Sequence, residues 1–426
     1  MKTITKILCT TSLCATFAMA NTAHADAVQF WTMPYGDQIV WQDTMDELLE
    51  GFEAQTGIEV QHETVPWGNA FQTYLTIAQG GAAPDCADMY WLHSFSAIGG
   101  DKYGPLPINE YKDRFDLDAF YEGALVDVTY LDDFYGVPWR GDIRVMLYNT
   151  EAAAEAGISG PPTNWDETIA AAKAMHKVDD KGRVVRWGYA FGSNSRPTDW
   201  MMPLYWQAGG EFMSEDGKTA TIDNQAMRDA LTFMHDMVHV HKVADIDSFE
   251  KGYETLPMFA DGQIALISSA EQAWGKRLDA EYPSAEGTWA MARSAAGAQD
   301  ADSFSGAGYF GLLRGTEKVE ECVALLEYLS SDDSILALSQ ASGNVATKPA
   351  VMQSDLWSDR PWKKVVGVAL EDAHTSQHAA PAWSAIATPE PGGIIFDLVY
   401  NTVVLQADMD AEIAKAQALM QAELQR

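Results

Sequence analysis

Between positions 28 and 60 the chain reads as a strand, an amphipathic helix and a second strand, and that order leaves few folds open. Residues 28–31 suit a short strand. Met45, Leu48, Leu49 and Phe52 then repeat at i, i+3, i+4 and i+7, which is one apolar stripe of a helix. Gly57 closes that helix and Ile58-Glu59-Val60 resumes an extended run. Two strands joined through a helix pair in parallel, so the sequence predicts a sheet covered by helices. A helix over 70–79, ended by Gly80-Gly81, and a strand over 87–91 continue the pattern.

A second region begins after Tyr148. Pro161-Pro162 stops the chain, and Thr163 with Asp166, or Asn164 with Glu167, can cap a helix running to His176. A strand is expected over 183–191 and a helix over 201–207, ended by Gly209-Gly210. The Asp216-Gly217 pair predicts a turn between two short strands. Further helices are expected over 224–239, 317–330, 332–340 and 408–424.

Residues 1–25 read as a secretory leader rather than as part of the fold. Lys2 and Lys6 precede an apolar stretch over 7–20, and Ala23-His24-Ala25 gives a small-x-small cleavage pattern. The stretch is shorter than the ~20 residues that cross a bilayer, and neither Cys9 nor Cys14 follows a small residue as a lipid-bearing cysteine would. Cleavage would leave Asp26 to Arg426, which is long enough for two domains. Loss of Lys2 and Lys6 moves the net charge from −33 to −35, since the leader holds no acid. Phosphate contacts need clustered Lys and Arg, so nucleic acid is not the expected partner. The acids are spread along the whole chain and read as a solvated surface, suited to a saline medium that screens their repulsion. Cys86 and Cys322, the two cysteines outside the leader, read as free buried thiols.

Several segments together resemble the family 1 extracellular solute-binding proteins. The longest is Tyr135-Gly-Val-Pro-Trp-Arg-Gly-Asp-Ile-Arg-Val-Met-Leu-Tyr-Asn-Thr150, followed by Ala156-Gly157 and Pro161-Pro-Thr-Asn-Trp-Asp-Glu167. Gly80-Gly-Ala-Ala-Pro-Asp85, Asp199-Trp200, Phe259-Ala-Asp-Gly-Gln-Ile-Ala265 and Ser342-Gly-Asn344 with Pro349 add to it. The resemblance implies the two-lobed periplasmic binding protein fold: two α/β domains joined by hinge strands, with a ligand cleft between them. By similarity, residues 26–142, completed by 305–345, form the N-terminal lobe. Residues 143–304, completed by 346–426, form the C-terminal lobe. Crossings are expected near Asp142 to Val145, Ser305 and Val345. The resemblance further implies a monomeric periplasmic protein without cofactor. It would capture a carbohydrate, close by hinge motion and deliver its cargo to an inner-membrane ABC permease.

A pyranose ring has an apolar C–H face that stacks on aromatics and a hydroxyl edge that needs fixed polar groups. Trp31, Tyr35, Tyr90, Trp91, Trp139, Trp200, Trp206, Trp274 and Trp383 are the aromatic candidates, although tryptophan is as often core as cleft. Trp165, Trp187, Trp289, Trp357 and Trp362 are assigned to packing or surface. Glu271 follows a strand, where α/β sheets face their ligands, and Asp85 suits local structure better. Ser305 and Gly306 lie at a crossing where a glycine admits a close backbone approach. On the extended segment before Leu147, alternation places Arg140, Asp142 and Arg144 on one face and Ile143, Val145 and Leu147 on the other. The charged set either binds ligand or pins the hinge through ion pairs. Its arginines also keep an acidic or phosphorylated sugar, or a polyol, among the possible ligands, and they disfavour a polyamine.

His235 and His239, like His374 and His378, share a helix-face spacing, but Asp236 and Thr375 stand where a zinc-protease motif has Glu, so no metal site is expected. A glycosidase needs two facing carboxylates, a requirement that 61 acidic residues meet by chance alone. The chain has no Gly-x-Ser-x-Gly elbow and no Walker loop, so the sequence points away from an enzyme.

Overall fold

The computed structural model describes residues 27–192, 197–251, 255–355, 357, 360–370, 373–375, 382–387 and 391–425. The leader, Asp26 and His378 lie outside the described residues. The strands needed below are β1 (Val28–Thr32), β2 (Val60–Thr64), β3 (Cys86–Met89), β4 (Gly136–Asn149), β5 (Ala190–Gly192), β6 (Leu266–Glu271), β7 (Trp289–Ala292), β8 (Ser303–Leu313) and β9 (Val345–Ala346). The helices needed below are α1 (Gln38–Thr56), α2 (Trp67–Ala78), α3 (Leu92–Gly99), α4 (Trp165–Met175), α5 (Pro197–Gln207), α6 (Gln225–His239), α7 (Val319–Leu329), α8 (Asp332–Ser342) and α9 (Trp383–Ala387).

Local chemistry explains where these elements start and stop. Asp37 caps α1 by accepting from the Ile39 and Val40 amides, and Gly57 ends it at a φ of 74°, a value that glycine adopts without strain. Trp41, Met45, Leu49 and Phe52 are its buried face. Each such side chain contributes about 1.5–3 kcal/mol by leaving water. At α4 the Asn164 side chain accepts from the Glu167 amide while Glu167 accepts from the backbone and hydroxyl of Thr163, so of the two expected caps the structure uses Asn164 with Glu167, and Thr163 pairs with Glu167 rather than Asp166. Two expectations are corrected. The strand over 183–191 is broken into Val184–Arg186 and Ala190–Gly192, and the Asp216-Gly217 turn joins a single bridge between Met213 and Ala220 rather than two strands.

The main sheet runs in the order β5-β6-β4-β8-β3-β1-β2. Its middle pair decides the shape. β4 and β8 are long and antiparallel, with Ser305 opposite Ile143, Gly306 opposite Asp142 and Gly308 opposite Arg140, so each strand serves two cores. Residues at the Gly136 end of β4 pack with β1, β3, α1 and α7 in one cluster that includes Phe30, Phe52, Trp139 and Phe310. Residues toward Asn149 join two others. One holds Met146, Tyr189, Trp200 and Leu231, and the other holds Ile143, Val145, Leu147 and Trp274. Ile143, Val145 and Leu147 are fully buried, as their alternation predicts. The first cluster meets the cluster of Met146 and Trp200 again where α9 packs against α3. No helix among the described residues is long and apolar enough to cross a membrane.

Cys86 on β3 and Cys322 on α7 are free thiols inside the first cluster. Burial pushes the Cys86 thiol well up, and its contact with the Cys322 side chain adds to the shift. Thiolate is the reactive form. A thiol reagent such as DTNB should therefore leave both cysteines untouched in the folded protein and label both once urea unfolds it. Rapid labelling of either in the native state would contradict this burial.

Candidate functional site

The site is built around the crossing strand β4. Arg140 and Arg144 are both buried, at 4% and 5% exposure, and Asp142 between them is the accessible member of the row. Buried cations need compensation. Arg144 pairs with Asp142, lies 5.1 Å from the Phe304 ring centre and feels the charges of Glu271 and Asp199. Arg140 lies among three aromatic rings, 4.7 Å from Tyr35, 5.1 Å from Tyr90 and 5.7 Å from Trp67. Such cation–π contacts are strongest where water is excluded. Its Nε has no hydrogen-bond partner among the described residues.

Behind Arg140 sits Asp88, fully buried on β3. Its carboxylate accepts from the Tyr35 hydroxyl at 2.6 Å and from the Trp139 indole at 2.9 Å. Burial pushes this carboxyl up to about 6, against the opposing pull of Arg140 and of the bonds from Trp139, Tyr35 and the Met33 backbone. Asp88 thus anchors Tyr35 and supplies the counter-charge of Arg140.

Two glycines of β8 make room for this arrangement. A side chain at Gly306 would meet the Tyr90 hydroxyl at 2.2 Å, and one at Gly308 would meet Arg140 Nε at 2.5 Å. Gly306 therefore accommodates Tyr90, a physical reason different from the backbone approach to ligand expected from sequence. Ser305 pairs with Ile143 in the ladder. Trp91 adopts a φ of 40°, rare for a bulky residue, and its ring meets Tyr90, Trp67, Phe71 and Phe95 edge-on. Strain of this kind persists where neighbours over-determine it, and it fixes the ring here.

The remaining candidates divide. Glu271 stands opposite Arg144 in the β6–β4 ladder and belongs to the site. Trp200 is buried in the cluster around α5, stacked on Phe191 at 6.0 Å, with an indole N–H that has no partner among the described residues. Trp206 stacks on His374 at 4.1 Å and Trp383 meets Phe212 edge-on, both within the cluster around α5. Trp31 is half-buried against the first cluster. Trp139 is fully buried, stacked on Phe310 at 5.5 Å, and Trp274 is core of the third cluster. Asp85 holds the Gln29 amide and the Thr316 hydroxyl, a local structural role. The His235 and His239 rings lie 4.8 Å apart on α6, and each has its own partner, Asp236 and the Val403 carbonyl. Sequence reasoning missed Trp67, Asp88, Phe304 and Gln272. Trp67 opens α2 after Pro66 and is 41% exposed, which leaves its face available beside Arg140.

The sequence signature of the bacterial extracellular solute-binding proteins matches residues 38–335, more than half of the chain. The chain belongs to that family. Among curated solute-binding relatives, an arabinooligosaccharide-binding protein of Halalkalibacterium halodurans is 26% identical over 257 residues, covering 59% of this chain and 55% of that protein. The chain thus spans about half the length of that relative. A diacetylchitobiose-binding protein of Streptomyces coelicolor is 24% identical over 92% of this chain and 88% of its own. An ABC transporter solute-binding protein of Thermotoga lettingae, solved with α-D-tagatose, superposes with a TM-score of 0.79 at 21% identity, covering 94% of this chain and all of that one. At that identity the likeness speaks for the fold: solute-binding family members of this type are two-lobed, and β4 and β8 each place residues in the first cluster and in another here.

Proposed function

We propose that this chain captures an uncharged saccharide and delivers it to an inner-membrane ABC permease. The observation that carries the reading is the row Arg140, Asp142 and Arg144 beside the aromatic group Trp67, Tyr90 and Trp91. Fixed donors and acceptors suit a sugar's hydroxyl edge, and exposed aromatic faces suit its C–H face. The sugars in the relatives' names support this choice. Charge decides between neutral and acidic ligands. Asp88 and Asp142 already compensate the two arginines, and Glu271 adds a further negative charge, so an anionic ligand would meet no surplus of positive charge.

In this proposal the lobes comprise residues 26–142 with 305–345 and residues 143–304 with 346–426, and they close on the ligand as a monomer. Residues 1–25 direct export to the periplasm and are removed. The ligand leaves chemically unchanged, and no cofactor or nucleic acid takes part.

A thermal-shift panel of arabinotriose, diacetylchitobiose, maltotriose and glucuronate tests the reading. A neutral saccharide at 100 times its dissociation constant should stabilise the protein by about 2.7 kcal/mol. Stabilisation by glucuronate alone, or by none of the four, would count against it. Mass spectrometry of the exported protein should place its N-terminus at Asp26.

A further inference from the structure

The edge of β4 that faces away from β8 is covered by two different strands with a gap between them. β9 pairs with Arg140 and Gly141, and β6 begins at Arg144. Between these, the Ile143 amide is buried and the Gly141 carbonyl part-buried, and backbone groups withdrawn from water need partners. The partner is a side chain. Gln272, 1% exposed and just past β6, accepts from the Ile143 amide at 3.2 Å through Oε1 and donates to the Gly141 carbonyl at 3.2 Å through Nε2. A primary amide carries the same acceptor and donor as a peptide unit, so Gln272 pairs with the gap as one residue of a strand would. Its second Nε2 hydrogen goes to Asn344 Oδ1 at 3.1 Å, immediately before β9. The residue bracketed by these bonds is Asp142.

We infer that Gln272 is a positioning residue for the binding site: it clips the backbone on both sides of Asp142 and so fixes the carboxylate that meets the ligand. The inference rests on the saccharide reading of the cleft only where binding is the readout. Gln272 bonds the peptide groups on either side of Asp142, so its effect on binding is expected to pass through that residue.

The test is a double-mutant cycle with a ligand-free arm. Without ligand, Gln272→Leu should speed hydrogen exchange of the Ile143 amide by about a hundredfold or more, as a lost local clip does, while Val145, which pairs with β6, stays protected. With arabinotriose, diacetylchitobiose and maltotriose as probes, Gln272→Leu should raise the dissociation constant about tenfold, the scale of one or two lost hydrogen bonds. In an Asp142→Asn background the same change should cost less than about twofold, because coupled residues are non-additive. Gln272→Glu should bind as poorly as Gln272→Leu at pH 8, where a carboxylate faces the Gly141 and Asn344 oxygens. It should recover in part at pH 5, relative to wild type at the same pH, as the protonated carboxyl donates to one of them. Full additivity with Asp142→Asn, or unchanged Ile143 exchange, overturns the inference. If wild type binds none of the probes, the saccharide reading fails and the exchange arm alone decides whether Gln272 is a clip.

Discussion

Replacing Asp88 by alanine is expected to remove about 3–5 kcal/mol of stability at pH 7.5, the usual cost of stranding a buried charge. Arg140 would lose its counter-charge, and the Tyr35 hydroxyl and Trp139 indole would lose their shared acceptor. Asp88→Asn keeps the shape but not the charge, and it reads out the titration. The native carboxyl, pushed up to about 6 by burial, binds its proton more tightly than in the unfolded chain. Between pH 4 and 6 the native state therefore holds more protons, and the Asp88 contribution to stability falls as pH rises through that window. Two units at 1.36 kcal/mol each make this roughly 3 kcal/mol. The destabilisation caused by Asp88→Asn should accordingly be larger at pH 4 than at pH 7.5. Urea unfolding at the two pH values checks it, and a difference of the opposite sign would show that the charged form is the favoured one in the fold.

The second large effect is on binding. Arg144→Ala should weaken affinity for the cognate saccharide by about 1.5–3 kcal/mol, or ten- to a hundredfold and more, typical for bonds to charged groups. The loss has two sources: the guanidinium donors, and the orientation of Asp142, which pairs with Arg144. Arg144→Lys should recover only part of it, because an ammonium lacks the planar fork that holds a carboxylate. Isothermal titration of both variants checks the prediction, and full recovery by lysine would mean that charge alone matters.

The parallel pairing of β1 with β2, the caps of α1 and α4 and the two faces of β4 are legible because each has a local signature: a repeat, a capping residue or an alternation. The supporting residues are not. Asp88 lies in a run of four buried positions, Cys86–Met89, and nothing near it in sequence announces that Arg140 will need a counter-charge. Nothing in the sequence sets Gln272 apart from its neighbour Glu271, because a side chain standing in for a strand is visible only once the gap between β6 and β9 is seen. Trp139 is a cleft candidate in sequence because it lies before the first crossing. The structure instead shifts the ladder register between Gly308 and Tyr309, opposite Arg140 and Pro138, and this irregularity lets consecutive Trp139 and Arg140 both reach Tyr35. Tryptophan identity alone does not separate core from cleft, and Trp274 fell to the core for the same reason.

Asp142, the least buried member of the charged row, is proposed to grip the solute rather than merely pin the crossing strand. Isothermal titration of Asp142→Asn with the saccharide that best stabilises the wild type, alongside melting of both unliganded proteins, tests it most directly. The expected result is an affinity lower by about 1.5–3 kcal/mol with the unliganded melting temperature little changed. Unchanged affinity with a large loss of unliganded stability would contradict it and leave the Arg144–Asp142 pair as a structural tie.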